Sequence, residues 1–543
     1  MEEKFMFKKC DPGRVKGFLR VQGRKIVNED GEEVVLTGWG VGNWLLQEGY
    51  MWLAGNEERF DRPRRIEQVV YELTGSEYAE RFWKTFRDRY VTREDIRSMR
   101  ELGYNSVRIP INWRVLMKDE PGNQWCEDGF AILDRCLDWC EEFGIYAILD
   151  LHGAPGSQSG WNTDDSIANL PRLLMDEEYW NKGIALWEEI ARRYKDRWIV
   201  GGYDLLNEPV RPGLCDSLSR NKYISLLVRF YDECIAAIRK IDKVHLVTLE
   251  GNQFSADTCI FFKEYDPNMV IHFHRYACMP GWESFRPYLE VSEDLDHPLW
   301  LGETGENKVE WLTALFGMSI SLDIGVNLWP WKKMAAGISP CTIPTPEGWD
   351  EILTYIRGGN RPSYERAQQL FDEYLDNILF ENCVRHTEIT DAVFRVPEFT
   401  IRGTDFDQFP GKGQSFSGGR KEGNEYRYRS DTKMCIEEIC DKKEKEFFFD
   451  CGWDQFALVL EAEEFADYTI CSDKADFSVS LQLDCTDDAS VDLIWNGKQE
   501  SISLKKTQTI LHTKKYTFPK GEGRLRIRVK SGKIRLHAIH TGK

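Results

Sequence analysis

No run of apolar residues in the chain approaches the roughly 18 needed to cross a bilayer, so no membrane partner is expected. Positive charge is also short: 71 Lys and Arg stand against 90 Asp and Glu, a net charge of −19. A surface of that sign repels phosphate backbones and anionic lipid, which removes nucleic acid from the expected partners. Cysteine is present 15 times, but the number is odd and no CxxC pair occurs, so the pattern reads as reduced thiols and not as a disulfide framework. Cys136 and Cys140 stand four apart without the His or second Cys pair that zinc requires. Neither metal nor cofactor is expected. The first nine residues, Met1 to Lys9, hold neither an apolar stretch nor a small-residue cleavage site; a cytoplasmic location is expected, or a secreted one if a leader has been trimmed.

What is there supports large cores: 42% apolar, 13% aromatic and 30% charged residues over 543 positions. Eight short apolar, β-rich runs stand out: Val34–Val41, Asn105–Ile111, Tyr146–His152, Gly202–Asn207, His245–Glu250, Met269–Tyr276, Leu299–Glu303 and Gly325–Trp331. Helical patterns follow at Arg93–Leu102, Gly129–Phe143, Glu177–Tyr194, Lys222–Ile241, Lys308–Leu322 and Ser363–Leu379. Strands alternating with helices predict a parallel sheet, and eight of them predict a closed (β/α)₈ TIM barrel, an α/β fold. Phe18–Val35, with Asn28-Glu29-Asp30-Gly31 between two apolar runs, reads as a hairpin sealing the barrel bottom. A long insertion, Leu45–Thr92, stands where substrate access would be shaped. Beyond about Phe380 short alternating segments such as Leu525-Arg526-Ile527-Arg528-Val529 predict an all-β sandwich, with glycine-rich Gly411–Gly419 as a loop. The expected division is 1–390 for the barrel and 391–543 for the sandwich.

Catalytic groups of such barrels sit at the C-terminal ends of the strands. There the sequence places Arg108, Asp150-Leu151-His152-Gly153, Asn207-Glu208-Pro209, Glu250, His274-Arg275-Tyr276, Glu303 and Trp329. One strand-end acid could be a satisfied buried carboxylate. Glu208 and Glu303 facing a common axis suit hydrolysis by two carboxyl groups, one protonated to assist a leaving oxygen and one ionised to attack. Arg108 is expected to keep the attacking carboxylate's pKa low and Tyr276 to donate to it, with the acid in a drier pocket. Asn207 is placed for a sugar 2-hydroxyl, and Trp329 offers an aromatic platform. The 19 Trp and 21 Tyr fit sugar rings, although core packing claims most such residues.

The motifs Asn105-Ser106-Val107-Arg108-Ile109-Pro110, Leu151 to Gln158, Leu206-Asn207-Glu208-Pro209, His274-Arg275-Tyr276, Gly302-Glu303-Thr304-Gly305 and Trp329-Pro330-Trp331-Lys332 occur in one order. In them the chain, over about residues 18–380, resembles glycoside hydrolase family 5, retaining enzymes of the (β/α)₈ type. The resemblance implies Glu208 as acid/base and Glu303 as nucleophile, with Arg108, His152, Asn207, His274, Tyr276 and Trp329 around them and the carboxyls about 5 to 5.5 Å apart. Thr304 departs from the family, where an aromatic residue or alanine often follows the nucleophile. Gly40 to Glu48 and Ala154 to Gln158 look most like the exo-β-1,3-glucanase and β-glucosidase branch, in which an acid matching Glu48 binds the terminal glucose; a solvated acid is the other reading of Glu48. Glu250 lines the site or serves Arg108 structurally, the latter favoured.

From about Glu398 the chain is similar to carbohydrate-binding modules of family 6, in Asp407 to Phe416, Asn424 to Tyr428, Phe449 to Trp453 and Phe465 to Tyr468. Because no barrel carboxylate comes from it, this unit is expected to be dispensable for chemistry, with packing against the barrel as the alternative to sugar binding. The expected activity is hydrolysis of β-glucosides or β-gluco-oligosaccharides, exo-acting, with a carbohydrate substrate as partner. Alternatives are an endo-acting β-glucanase or mannanase, and a catalytically inactive carbohydrate-binding protein. Gly38-Trp39-Gly40-Val41-Gly42 is not a dinucleotide fingerprint, because no helix-opening GxGxxG follows.

Overall fold

The computed structural model describes residues 9–214, 217–409, 414–418, 428–439 and 449–543. Eight parallel strands close into a barrel in chain order: β1 (Thr37–Gly40), β2 (Ser106–Asn112), β3 (Tyr146–Gly153), β4 (Val200–Asp204), β5 (Leu246–Glu250), β6 (Met269–His274), β7 (Leu299–Gly305) and β8 (Gly325–Trp329). Closure is made by β8 against β1, with Val326 beside Thr37 and Leu328 beside Trp39. Every residue of these strands is buried, as expected where helices cover the outer face and side chains fill the interior. Each expected strand lies in the barrel.

The expected helices form as well, and their ends follow local chemistry. Arg93–Leu102 opens on a capping box between Thr92 and Asp95 and closes on Gly103 in the left-handed region. A helix at Arg286–Leu295, between β6 and β7, was not anticipated; it is ten residues long and carries a proline in its first turn. The N-terminal segment does cover the barrel bottom, but as a meander whose first turn lies at Gly23-Arg24, between strands Arg20–Gln22 and Lys25–Val27. Only a single bridge, Val27 to Glu33, spans the Asn28–Gly31 turn.

The insertion divides into two parts. Residues 45–60 run over the catalytic end, whereas helices Pro63–Thr74 and Ser76–Tyr90 pack outside it, Phe86 of the second stacking on Trp52 and Phe82, Tyr374 and Trp349 meeting it tilted. Arg62 and Arg64 of the insertion, with Arg114 beyond β2, which also pairs with Glu67 of the insertion, tie it to the loop after β3. Arg62 donates to Ser166 O and Asn169 Oδ1 at 2.8 and 2.7 Å, while Arg64 and Arg114 both pair with buried Asp165.

The C-terminal region is two packed antiparallel sheets, of seven and five strands among the described residues. Gly521–Ser531 illustrates the alternation: Leu525, Ile527 and Val529 are buried, while Arg526 and Arg528 turn outward to pair with Asp467 and Asp492. Within the glycine-rich stretch Phe416–Ser417 is a short strand on Phe465–Ala466 and not loop; Gly411–Gly413 and Gly419, like Asn424–Arg427 and Met1–Lys8, lie outside the described residues. The sheets dock on the barrel's catalytic side. Trp453, Phe409 and Cys471 join the barrel's apolar core, Lys308 pairs with Asp454 at 3.0 Å, and Ser430 Oγ donates to Glu283 at 2.7 Å.

Candidate active site

Arg108, fully buried on β2, is the hub. Its guanidinium donates to Glu303 Oε2 at 2.6 Å, Asn207 Oδ1 at 2.8 Å, Asp204 Oδ2 at 2.9 Å and Glu250 Oε1 at 3.0 Å, and stands 3.1 Å from Asp150. Asp204 has no place among the strand-end residues read from the sequence, and Asp150 stands there without a role. Both lie on interior strand positions, where a charged residue needs a counter-charge, and that was the available signal. Asp150 in turn binds His152 Nδ1 at 2.7 Å. Burial, and then the Arg108 charge, pulls His152 down to about 4, so the ring is neutral. Its Nε2 therefore accepts from Asn207 Nδ2 at 3.2 Å, and among the described residues one hydrogen of that amide is left for a ligand.

The Asn-Glu-Pro turn is held from several sides. Glu208 has φ +44°, left-handed for a residue with a side chain, a strain that persists only where neighbours over-determine it. Glu250 Oε2 accepts from the Glu208 amide at 2.7 Å, and Gln158 Nε2 donates to the carbonyls of Asn207 and His152, both at 2.7 Å. Glu250 thus serves Arg108 and the backbone, the structural option. The Leu151 to Gln158 motif is explained as the clamp on this turn.

Glu208 and Glu303 come together: one carboxylate oxygen of each, with His274 Nδ1, forms a set lying within 4.8 Å of one another. They are about equally buried, at 8% and 6% exposure, so the expectation of a drier pocket for one of them fails. Their partners differ instead. Glu303 accepts from Arg108 on Oε2 and from the Tyr276 hydroxyl on Oε1 at 2.9 Å, two donors that suit an anion. Glu208 Oε1 faces His274 Nδ1 at 2.9 Å. Burial pushes the Glu303 carboxyl up against the pull of His274 and Arg108, so Arg108 does not hold it low as expected.

A chain of imidazoles, unforeseen at His272, continues inward from Glu208. His274 Nε2 meets His272 Nε2 at 3.1 Å, and His272 Nδ1 meets Asp204 Oδ1 at 3.1 Å. Burial opposes charge on His274, but Glu250, Glu303 and the bond to Glu208 overcome it and lift its pKa well above the ordinary value. Gly302 makes room for this chain, since a Cβ there would lie 1.9 Å from His272 Nε2. These carboxylates and imidazoles are close enough to surround a cation, but Arg108 and His274 already supply the positive charge, and the donor set calls for none.

Trp329 stacks on His152 with centroids 5.5 Å apart and planes within 2°, and its Nε1 donates to Tyr50 at 2.9 Å. Its ring lies so close to β1 that a Cβ at Gly40 or Gly42 would sit 2.4 or 2.5 Å from it, which accounts for the glycines there. Glu48 is half-buried, and its carboxyl is raised well above the ordinary range by burial and then by the charges of Glu303, Glu306 and Glu208. Lys333 beside it binds Glu306 at 2.6 Å and lies 4.9 Å from the Tyr50 ring centre.

Residues 67–333 match the cellulase family, glycosyl hydrolase family 5. Endoglucanase C of Acetivibrio thermocellus is 30% identical over 315 residues, covering 47% of this chain and 87% of that protein.

The chain belongs to glycosyl hydrolase family 5.

A β-xylosidase of Phanerodontia chrysosporium is 33% identical over 302 residues, 55% of this chain but 59% of that protein's length. A probable glucan 1,3-β-glucosidase A of Aspergillus fumigatus is 27% identical over 268 residues, 48% of this chain and 59% of that protein. This family 5 chain is a glycoside hydrolase with a TIM barrel and a C-terminal all-β region. Thr304, its departure after Glu303, is buried and donates to Arg275 O at 2.6 Å, tying β7 to the segment that carries Tyr276. The all-β unit reaches the pocket too: Phe449 stacks on Tyr276 at 5.0 Å with planes 27° apart.

Proposed function

We propose that the chain is a retaining β-glycosidase, with Glu208 as acid/base and Glu303 as nucleophile, releasing single sugars or short units from β-glucosides and β-gluco-oligosaccharides. The observation that carries this reading is the asymmetry of partners around two carboxyls, one oxygen of each lying within 4.8 Å of the other, a proximity that suits direct attack by one of them. In the first step a proton passes from Glu208 to the glycosidic oxygen, the bond from that oxygen to the anomeric carbon breaks so that the aglycone leaves as its alcohol, and Glu303 bonds to the anomeric carbon, consuming its own negative charge. In the second, Glu208 takes a proton from water, the oxygen of that water bonds to the anomeric carbon, and Glu303 leaves as carboxylate.

His274 gives Glu208 the means to alternate. A contact between two imidazole nitrogens holds one proton, and Asp204 claims the Nδ1 hydrogen of His272, so His274 donates from Nε2. One remaining proton is then shared between His274 Nδ1 and Glu208 across 2.9 Å. Asn207's free amide hydrogen suits the 2-hydroxyl, and Trp329 supports the ring's apolar face.

Exo action is favoured by Glu48, Tyr50, Glu306 and Lys333, a dense set of charged and polar groups on one side of the carboxyl pair that suits a terminal sugar's hydroxyls. An endo-acting β-glucanase is the second reading, favoured by the coverage of endoglucanase C. A reducing-end-labelled gluco-oligosaccharide separates them: loss of one unit at a time is expected, and early mid-length fragments would overturn exo action. Aryl β-glucoside against aryl β-xyloside, which differ by one hydroxymethyl group, then assigns the sugar.

A further inference from the structure

We infer that the C-terminal β-sandwich is a working part of the active site, with Phe449 as a positioning residue that sets the Tyr276 hydroxyl against the nucleophile. The inference rests on the assignment of Glu303 as nucleophile. Tyr276 is half-buried on the loop that leaves β6, and its hydroxyl donates to Glu303 Oε1 at 2.9 Å. Where that hydroxyl points is decided by the plane and tilt of its ring, and a tyrosine at a loop has other rotamer wells within reach. One face of the ring is covered by Phe449, at 5.0 Å between centroids and 27° between planes. Offset stacking of this kind is attractive beyond the area it buries.

The barrel itself fixes the segment that carries Phe449. Asn307, four residues beyond the nucleophile on the loop after β7, donates through Nδ2 to the Phe449 carbonyl at 3.1 Å. Cys451 Sγ lies 3.2 Å from the carbonyl of Cys278, on the same loop as Tyr276. Trp453 is sunk in the barrel's apolar core, and Lys308 holds Asp454 at 3.0 Å. The segment from Phe449 to Asp454 is therefore pinned to the two loops that follow the Tyr276 and Glu303 strands, and it connects them. Burial, followed by the charges of Glu303 and Glu306, lifts the Tyr276 phenol well above its ordinary value, so the group facing Glu303 is a neutral donor. Tyr50 and Glu208 are the other titratable groups acting on that phenol. His274 and Arg108 are the cations facing Glu303.

The test compares Phe449→Ala, Tyr276→Phe and the double variant in the full chain, on an activated aryl β-glucoside. Phe449→Ala is expected to lower kcat about tenfold with KM within about twofold, as loss of a transition-state contact does. The acidic limb of its kcat/KM profile should move to higher pH, as in Tyr276→Phe, because the nucleophile loses a donor to its charged form. The double variant should be no slower than Tyr276→Phe, since Phe449 acts through the hydroxyl that variant has already lost. Phe449→Tyr should keep the rate. Multiplicative losses in the double variant, or an unmoved acidic limb, would overturn the inference. Phe449→Leu replaces the alanine variant if that chain misfolds. Amide exchange over residues 274–278 gives a readout independent of turnover: faster exchange in Phe449→Ala is expected, and unchanged exchange contradicts the inference. A wild-type chain inert on every aryl β-glycoside would count against the glycosidase reading and leave the exchange comparison to decide this one.

Discussion

Glu303 and Glu208 differ in the donors they face and hardly at all in burial, and their variants should differ accordingly. Glu303→Ala is expected to abolish turnover with little loss of stability, since a strand-end carboxylate contributes little packing; steady-state kinetics beside a thermal melt checks both. Glu208→Ala should cripple alkyl glycosides while sparing the first step on dinitrophenyl glycosides, which leave without a proton. Equal losses on the two substrates would remove Glu208 as the acid. The pH profile carries a sign. Burial raises the Glu303 carboxyl, so activity should fall on the acid side at a pH above the ordinary glutamate range, because the nucleophile is lost as it takes a proton. Glu48→Ala should weaken β-glucoside hydrolysis by about 1 kcal/mol, as for a lost hydrogen bond to the sugar, and an unchanged kcat/KM would remove it from the sugar site.

At the scale of elements, the strands were legible because parallel strands buried on both faces read as unbroken apolar runs, and polar residues at their ends then stood out. Interior charges were harder. Asp204 and His272 lie where apolar residues would also fit, and only the converging side chains of neighbouring strands explain them. Gly302 carried a signal in principle, but what it makes room for was not visible. Gly302→Ala would set a Cβ against the His272 ring; it should displace His272 and reduce activity more than stability, which paired kinetics and melts would detect. The insertion reads as access-shaping in its first part alone, since its two helices bury Phe82 and Phe86 against the outer aromatic cluster. Asp165→Asn should loosen the loop after β3 from the insertion by weakening its pairs with Arg64 and Arg114 at once, seen as a lowered melting temperature in a thermal melt.

Over the whole molecule the sandwich and the barrel share an interface with a core. Trp453, 2% exposed, packs among barrel residues, and Met279 and Val309 of the barrel pack against the sandwich core. Trp453→Ala should cost about 3 to 5 kcal/mol and shift the unfolding of both units together; calorimetry showing two transitions, only one of them moved, would contradict the coupling. Sequence alone does not name the residues of this contact, because alternation within a sandwich strand reports which face is buried and not what lies beyond the loops.

The central claim is double displacement at Glu303 assisted by Glu208, and the stereochemistry of the first-formed product tests it most directly. Proton NMR during the first minutes of hydrolysis of an aryl β-glucoside should show the β-anomer of the released sugar appearing first, with the α-anomer growing later by mutarotation. Immediate appearance of the α-anomer would contradict the account.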